Sequence, residues 1–327
     1  MKEKLLEIAG KLLSAISEGR PPWRRDWKSA AGSMWPVNAV SKKPYRGMNA
    51  AILLSVMNER GWPGLFLTFR QALAAGGSVR KGEHGFTGFF YRPMLSLPRP
   101  VGGKTLWAEG DARLHAVLGT EQLPAGTKRV PMLTSFTLFN IRQCDGLAKF
   151  EEAQAAAGVP SHQDPAALNE AAERLIETCA SRLDGGINAC PGGRAFYDVV
   201  SDRIVLPERD QFETVQGFYA CALHELSHAT GHPTRLDRQM GNKHGSVAYC
   251  LEEVIAESSA AFITSQLGIP YIEQHEAYVA DWGRAIAALP DGPQRLASAL
   301  AAGARAADMV LRGMTAASDT EPAEETQ

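Results

Sequence analysis

The 327-residue chain has no run of 18 or more apolar residues, which excludes a transmembrane helix. Its start, MKEKLLEIAGKLL, is amphipathic and lacks the pattern of a cleaved signal peptide, so the expectation is a soluble, cytoplasmic protein. Cysteine is scarce too. Cys144, Cys179, Cys190, Cys221 and Cys250 are odd in number, scattered, and form no C-x-x-C pair. That argues against a disulfide framework and a cysteine zinc knuckle, and predicts reduced thiols. No internal repeat is visible.

Net charge is nearly absent: 34 Lys+Arg against 36 Asp+Glu give a formal −2. The halves differ sharply, however. Residues 1–150 hold 22 basic and 10 acidic residues, or +12, leaving 12 and 26, or −14, in 151–327. A basic module is joined to an acidic one. The length and the 45% hydrophobic content suit two domains with cores of their own.

The basic half opens with an amphipathic helix whose apolar face is Leu5, Ile8, Leu12, Leu13 and Ile16, ending before Gly19 and Pro21–Pro22. A second helix is predicted over 49–59. Thr68 and Gln71 have the spacing of a capping box, with Gly76–Gly77 closing that helix. VRKGEHGFTGFFYR reads as a basic turn feeding a strand and VPMLTSFTLFNI as another, with a Gly/Pro-rich insertion near 95–130. Residues 1–150 thus read as a small α+β domain, and 151–163 as a linker where the charge changes sign. The second domain, 164–312, is expected to be mostly helical with a short β-sheet. Asp164 and Pro165 start a helix reaching about 182, RAFYDVV and RIVLPE form a hairpin around Ser201–Asp202, and helices follow from Phe212, broken near 231–233, 268–270 and 289–291. Residues 313–327 read as a disordered acidic tail. The fold class is α+β.

The sharpest motif is His224-Glu225-Leu226-Ser227-His228, an HExxH inside the apolar stretch FYACALHELSHATG. Positions i and i+4 share a helix face, so both imidazoles reach one Zn²⁺, and Glu225 is placed to act on water. A metzincin needs a histidine where Thr234 stands, which removes that class. His232, between Gly231 and Pro233, reads as a loop residue. In YCLEEVIAESSAAF, Glu253 and Glu257 are again i and i+4. This resembles the gluzincin arrangement of thermolysin and anthrax lethal factor. That resemblance implies Glu253 as third ligand and Glu257 as the acid orienting a ligand histidine, with Glu257 the alternative ligand and Glu252 pointing elsewhere. Unpaired buried charges are costly, so two acids and two histidines on apolar helices point to a cation, Zn²⁺ with Mn²⁺ as the alternative. Tyr249 reads as a core residue or an aid to a developing oxyanion, and the hairpin as an edge for an extended peptide.

Five of six tryptophans lie in the basic half. Between Trp23 and Arg46, aromatics interleave with Lys and Arg, the make-up of a surface that stacks bases and tracks phosphates of single-stranded DNA. The candidates are Trp23, Arg24, Arg25, Trp27, Lys42, Lys43, Tyr45 and Arg46, joined by Arg80 and Lys81 before Gly82. The pieces PWRRDW, PVNAVSKKPYRGMN, TFRQALAAGGSVRKGEHG, FTLFNIRQCDGL, HELSHATGHPTRLDR and EEVIAESSAAF, in this order, resemble plasmid-borne antirestriction proteins of the ArdC type and their primase-associated relatives. The resemblance runs from about residue 7 to 311. It implies an N-terminal single-stranded-DNA-binding domain, a zincin-like metallopeptidase domain, and protection of incoming mobile DNA from host restriction, with the peptidase activity either required or dispensable. The rival is an intracellular zinc metallopeptidase whose basic module recruits an acidic protein.

Overall fold

The computed structural model describes residues 1–24, 35–96, 107–109, 128–156, 169–269 and 276–315. Arg25, Trp27, Asp164, Pro165 and the acidic tail beyond 315 lie outside these residues.

Helix α1 (Lys2–Ser17) buries the face predicted for it, with Ala9, Leu12, Leu13 and Ile16 all inside. Strand β1 (Val37–Asn38), helix α2 (Gly47–Arg60), strand β2 (Leu65–Thr68) and helix α3 (Phe69–Ala74) follow. Thr68 accepts from Gln71 N and the Gln71 side chain accepts from Thr68 N, so the capping box is present. After β3 (Ser78–Val79) come β4 (Phe86–Ser96), β5 (Trp107–Glu109), β6 (Lys128–Asn140) and β7 (Cys144–Asp145). The main sheet has the order β1-β2-β6-β4-β5, with β1 and β2 parallel and the other pairs antiparallel. Asn49 on α2 brackets Phe89 of β4, donating to its carbonyl and accepting from its amide, and so serves a stretch of β4 that has no strand on that side among the described residues.

Helix α4 (Ala148–Ala156) covers the start of the stretch expected as a linker, and Phe150 packs on a satellite core of Ala39, Leu65, Leu67, Ala72, Ile141, Cys144 and Leu147. Apolar contacts of that one ring outweigh the weak helical signal of its neighbours. Helix α5 (Glu170–Ala180) is capped by Asn169, whose side chain accepts from Ala172 N. Strands β8 (Gly186–Ala189), β9 (Phe196–Asp198) and β10 (Arg203–Leu206) form a sheet of order β8-β10-β9, in which β9 and β10 are the predicted hairpin and β9 is an edge. Helices α6 (Val215–Ala229), α7 (Val247–Gln266), α8 (Glu276–Ala287) and α9 (Gly292–Leu311) complete the described chain. None is long and apolar enough to cross a membrane.

The main core runs through both halves. Leu12, Leu13 and Ile16 of α1 and Leu53, Leu54 and Met57 of α2 share one buried cluster with Trp282, Ile286, Leu296 and Leu300. Gly283 shows how closely α1 and α8 cross: a β-carbon there would lie 2.5 Å from Ser17 N and 2.7 Å from Ile16 C. Backbone has no rotamer by which to retreat, so Gly283→Ala should destabilise the chain by roughly 1–3 kcal/mol in urea unfolding. Gly193→Ala, whose added carbon meets nothing within 4 Å, should stay within about 0.5 kcal/mol of the parent. Equal midpoints for the two variants would show that α1 does not dock as described.

Candidate metal centre

Thr214 caps α6 by accepting from Gly217 N, and the helix then buries nearly every side chain. His224, Glu225 and Ser227 are carried inside with it, and Ser227 is tied to α7 by a 2.8 Å hydroxyl contact with Ser259. Ser246 caps α7 through Tyr249 N, and that helix buries Glu252, Glu253 and Glu257 against α6. Two apolar helices therefore press two imidazoles and four carboxylates, of Glu225, Glu252, Glu253 and Glu257, into one interface in which His228 alone of these is only partly buried.

The donors converge. His224 Nε2 and His228 Nε2 are 3.1 Å apart, and Glu253 Oε2 lies 3.5 Å from the first and 3.8 Å from the second. Of the His, Cys, Asp and Glu among the described residues, these three form the group able to hold one ion. Tetrahedral ligands at ~2.0–2.1 Å from Zn²⁺ would sit about 3.3 Å from one another, close to this triangle. The far side of each imidazole faces another acid: His228 Nδ1 is 3.1 Å from Glu252 Oε1, and His224 Nδ1 is 3.5 Å from Glu257 Oε1. With Nδ1 of each ring turned towards these acids, both Nε2 atoms and a carboxylate oxygen face a common point, an arrangement that a cation there would stabilise. Glu253 Oε2 is buried with no hydrogen-bond partner among the described residues. The residues fit a divalent ion.

Electrostatics agree with the geometry. Burial alone would push the Glu253 carboxyl up, but His224 and His228 outweigh it and hold it well below the usual carboxylate range. Burial is likewise outweighed at Glu252, by His228 and Arg238. For His228 burial opposes the charge, yet Glu252 and Glu253 carry its value well above that of free imidazole. Tyr249, one turn before Glu253, has its hydroxyl pushed up by burial and then by the Glu253 charge, and its ring lies 4.7 Å from that of His244.

Two features differ from the sequence reading or were missed by it. Glu252 does not point elsewhere: it faces His228 and is gripped by Arg238, 2.7 Å from Nη2. Arg238 itself was not singled out. The available signal was the adjacent pair Glu252–Glu253 in an apolar helix, where a second buried acid requires a partner of its own. His232 is on the loop, its Nδ1 2.7 Å from Thr234 Oγ1.

The basic residues are less concentrated. Trp23 is 5% exposed and packed in the main core, the alternative to a base-stacking ring. The Arg24 carbonyl accepts from Asn58. Tyr45 packs on the core, its hydroxyl accepts from Asn38, and burial pushes its pKa up to about 12. Arg46 pairs with Asp308 on α9 and lies 5.2 Å over Phe262. Lys42 and Lys43 are exposed at the tip of a turn pinned by Asn38, which accepts from Val40 N and Ser41 N, and Lys42 takes a left-handed φ of 61°. Lys42 Nζ sits 5.2 Å from the Phe150 ring. Arg80 pairs with Glu83 at 2.9 Å beside an exposed Lys81.

Comparison with known proteins adds to this geometry. Residues 2–139 match the model of the N-terminal domain of anti-restriction factor ArdC, and 170–299 that of a zincin-like metallopeptidase. The fold superposes on the crystal structure of the antirestriction ArdC protein from the R388 plasmid, metal-free, with a TM-score of 0.70 at 27% identity over 95% of this chain and 97% of that one. The chain belongs to the ArdC-type antirestriction family. The Mn(II)-bound structure of the same ArdC gives a TM-score of 0.67 at 28% identity, with the same coverage. An uncharacterized protein, y4eC, of Sinorhizobium fredii is 30% identical over 85% of this chain and 83% of its own length. Two DNA primase TraC proteins of Escherichia coli are each 33% identical over 93% of this chain, which spans only 27% and 19% of their length. As in other ArdC-type chains the architecture is α+β with a zincin-like C-terminal part, and the centre is one for a divalent metal.

Proposed function

We propose that this chain binds single-stranded DNA without reading its sequence, protects incoming mobile-element DNA from host restriction in the cytoplasm, and carries a Zn²⁺-dependent peptidase site. The convergence of His224, His228 and Glu253 on one point, beside Glu225 and in a chain whose first half is strongly basic, supports this reading. An ion held by those three residues supplies Lewis acidity for attack on a peptide carbonyl. Glu225, buried beside His228 and Tyr249, takes a proton from the attacking water and delivers it to the leaving nitrogen. Glu252 and Glu257 hold the imidazoles in the orientation that leaves Nε2 free for the ion.

On the DNA side Lys42, Lys43, Arg80 and Lys81 follow phosphates, with Arg24, Arg25 and Trp27 as further candidate contacts, while Arg46 is tied to Asp308. Trp23 and Tyr45 support it from within. If the four cations of the two turns neutralise one phosphate each, log K falls with log salt at a slope of about −2.8, or about 50-fold from 50 to 200 mM. Fluorescence anisotropy of the full chain with labelled single-stranded and duplex oligonucleotides measures this directly. Substituting Lys42 and Lys43 by Ala together should reduce the slope by about 1.4. Binding to neither oligonucleotide would instead favour a metallopeptidase whose basic half recruits an acidic protein.

A further inference from the structure

Arg238 lies ten residues after His228, between α6 and α7, with a side chain only 10% exposed. Its Nε donates to Glu252 Oε2 at 2.9 Å and its Nη2 to Glu252 Oε1 at 2.7 Å. Nη2 also donates to the Ser227 carbonyl at 2.8 Å, and Nη1 to Thr230 Oγ1 at 2.7 Å. Ser227 and Thr230 belong to the end of α6, where carbonyls have lost their helical partners, and Glu252 belongs to α7. One guanidinium therefore spans both helices that carry metal ligands. Its planar fork fixes the plane of the Glu252 carboxylate, and that carboxylate faces His228 Nδ1.

Gly231 is an independent sign of the same arrangement. A β-carbon there would lie 2.6 Å from Met240 Sδ, 3.0 Å from Arg238 Nη2 and 3.1 Å from Arg238 Cζ. Its φ is not left-handed, so the requirement is for space. The chain after the HExxH helix leaves a slot through which the guanidinium lies against the helix end.

We infer that Arg238, seated over Gly231, is a positioning residue of the metal centre: its two-pronged grip on Glu252 sets the orientation of His228 and the spacing of α6 and α7. This rests on the reading of His224, His228 and Glu253 as the metal site. The test titrates the full chain with Zn²⁺ and with Mn²⁺ in competition with a chromophoric chelator. It also follows the His228 Nδ1–H proton by NMR in the Zn²⁺-loaded protein. Arg238→Gln should weaken both ions by roughly 10–100-fold and broaden that proton through exchange. Arg238→Lys keeps the charge but not the fork, and should remain at least about 10-fold weak. Gly231→Ala should weaken binding in the same direction. Arg235→Gln removes a comparably buried arginine that also bonds the end of α6, at the Ala229 carbonyl, but touches none of the ligands: it should lower stability, yet under conditions where it is folded its metal affinity should stay within about threefold of the parent. Parental affinity in Arg238→Gln, full recovery in Arg238→Lys, or equal loss in Arg235→Gln would each overturn the inference while leaving the metal site standing. A parent chain that takes up neither ion would overturn both together. If Arg238→Gln does not fold, Arg238→Lys and Gly231→Ala decide the question.

Discussion

His228→Ala should abolish uptake of divalent metal and lower stability in metal-free buffer by about 3–5 kcal/mol. The imidazole is the hydrogen-bond partner of Glu252 and lies 3.8 Å from Glu253. Its removal leaves two carboxylates in an interface from which water is excluded, and only one of them keeps an arginine. The loss would appear in urea unfolding followed by circular dichroism, and as the disappearance of the binding isotherm in calorimetry with Mn²⁺ or Zn²⁺. Glu225→Gln provides the contrast. It keeps shape and burial, is outside the donor triangle, and should retain metal within a few-fold while hydrolysis of a peptide substrate falls by at least about 10²-fold. Metal affinity in His228→Ala within threefold of the parent would remove that imidazole from the ligand set. Antirestriction that persists in Glu225→Gln would separate protection of DNA from proteolysis.

Much of this centre was legible in the sequence because helical spacing converts directly into a shared face. His224 and His228 had to lie together, as did Glu253 and Glu257, whatever the rest of the fold did. Glu252 was misplaced for a related reason. Periodicity says which face of its own helix a residue occupies, but not how far a neighbouring helix wraps around it, and His228 at the end of α6 reaches past the Glu253 face. Arg238 was invisible for want of any period, since a loop residue declares its partner only in three dimensions. The Thr68 cap and the Ser201–Asp202 hairpin were readable because turn and cap chemistry is local. The shared core was not. Leu12, Leu13 and Ile16 announced a buried face on α1 but not that Gly283 and α8, over 260 residues away, would cover it. The basic segment shows the same limit: Trp23 and Arg46 have the composition of a nucleic-acid surface, yet one fills the core and the other pairs with Asp308.

The second large effect is expected away from the metal, at Asp202 and Arg235. Asp202 occupies the hairpin turn before β10 at φ 44°, and its carboxylate accepts from Tyr197 Oη at 2.7 Å, from Asp184 N at 3.2 Å and from Arg235 Nη1 at 3.0 Å. Arg235 also donates to the Ala229 carbonyl at the end of α6, 2.7 Å away, so the pair joins the small sheet to the helix of the two histidines. Asp202 is buried, and the Arg235 side chain is 9% exposed. Burial alone would raise the Asp202 carboxyl, but the hydrogen bonds from Arg235, Tyr197 and Asp184 outweigh it and hold the pKa to about 2. The folded value lies below the unfolded one, near 3.9. The group's contribution is therefore fully present above the unfolded value and is lost as pH falls through the folded one, in a window from about 4 down to 2. A shift of nearly two units corresponds to about 2–3 kcal/mol. Asp202→Asn tolerates the left-handed backbone and removes only the charge, so at pH 7 it should already lack most of that amount, and its stability should change less on acidification. Arg235→Ala leaves the carboxylate buried without its cation and should be the worse variant at pH 7, by about 3–5 kcal/mol relative to the parent. Protonation relieves that carboxylate, so the gap between Arg235→Ala and the parent should narrow as pH drops towards 3. Urea unfolding of the three proteins at pH 7, 5, 4 and 3 reads both trends, and a constant gap across that series would show that Asp202 and Arg235 do not act as a charged pair.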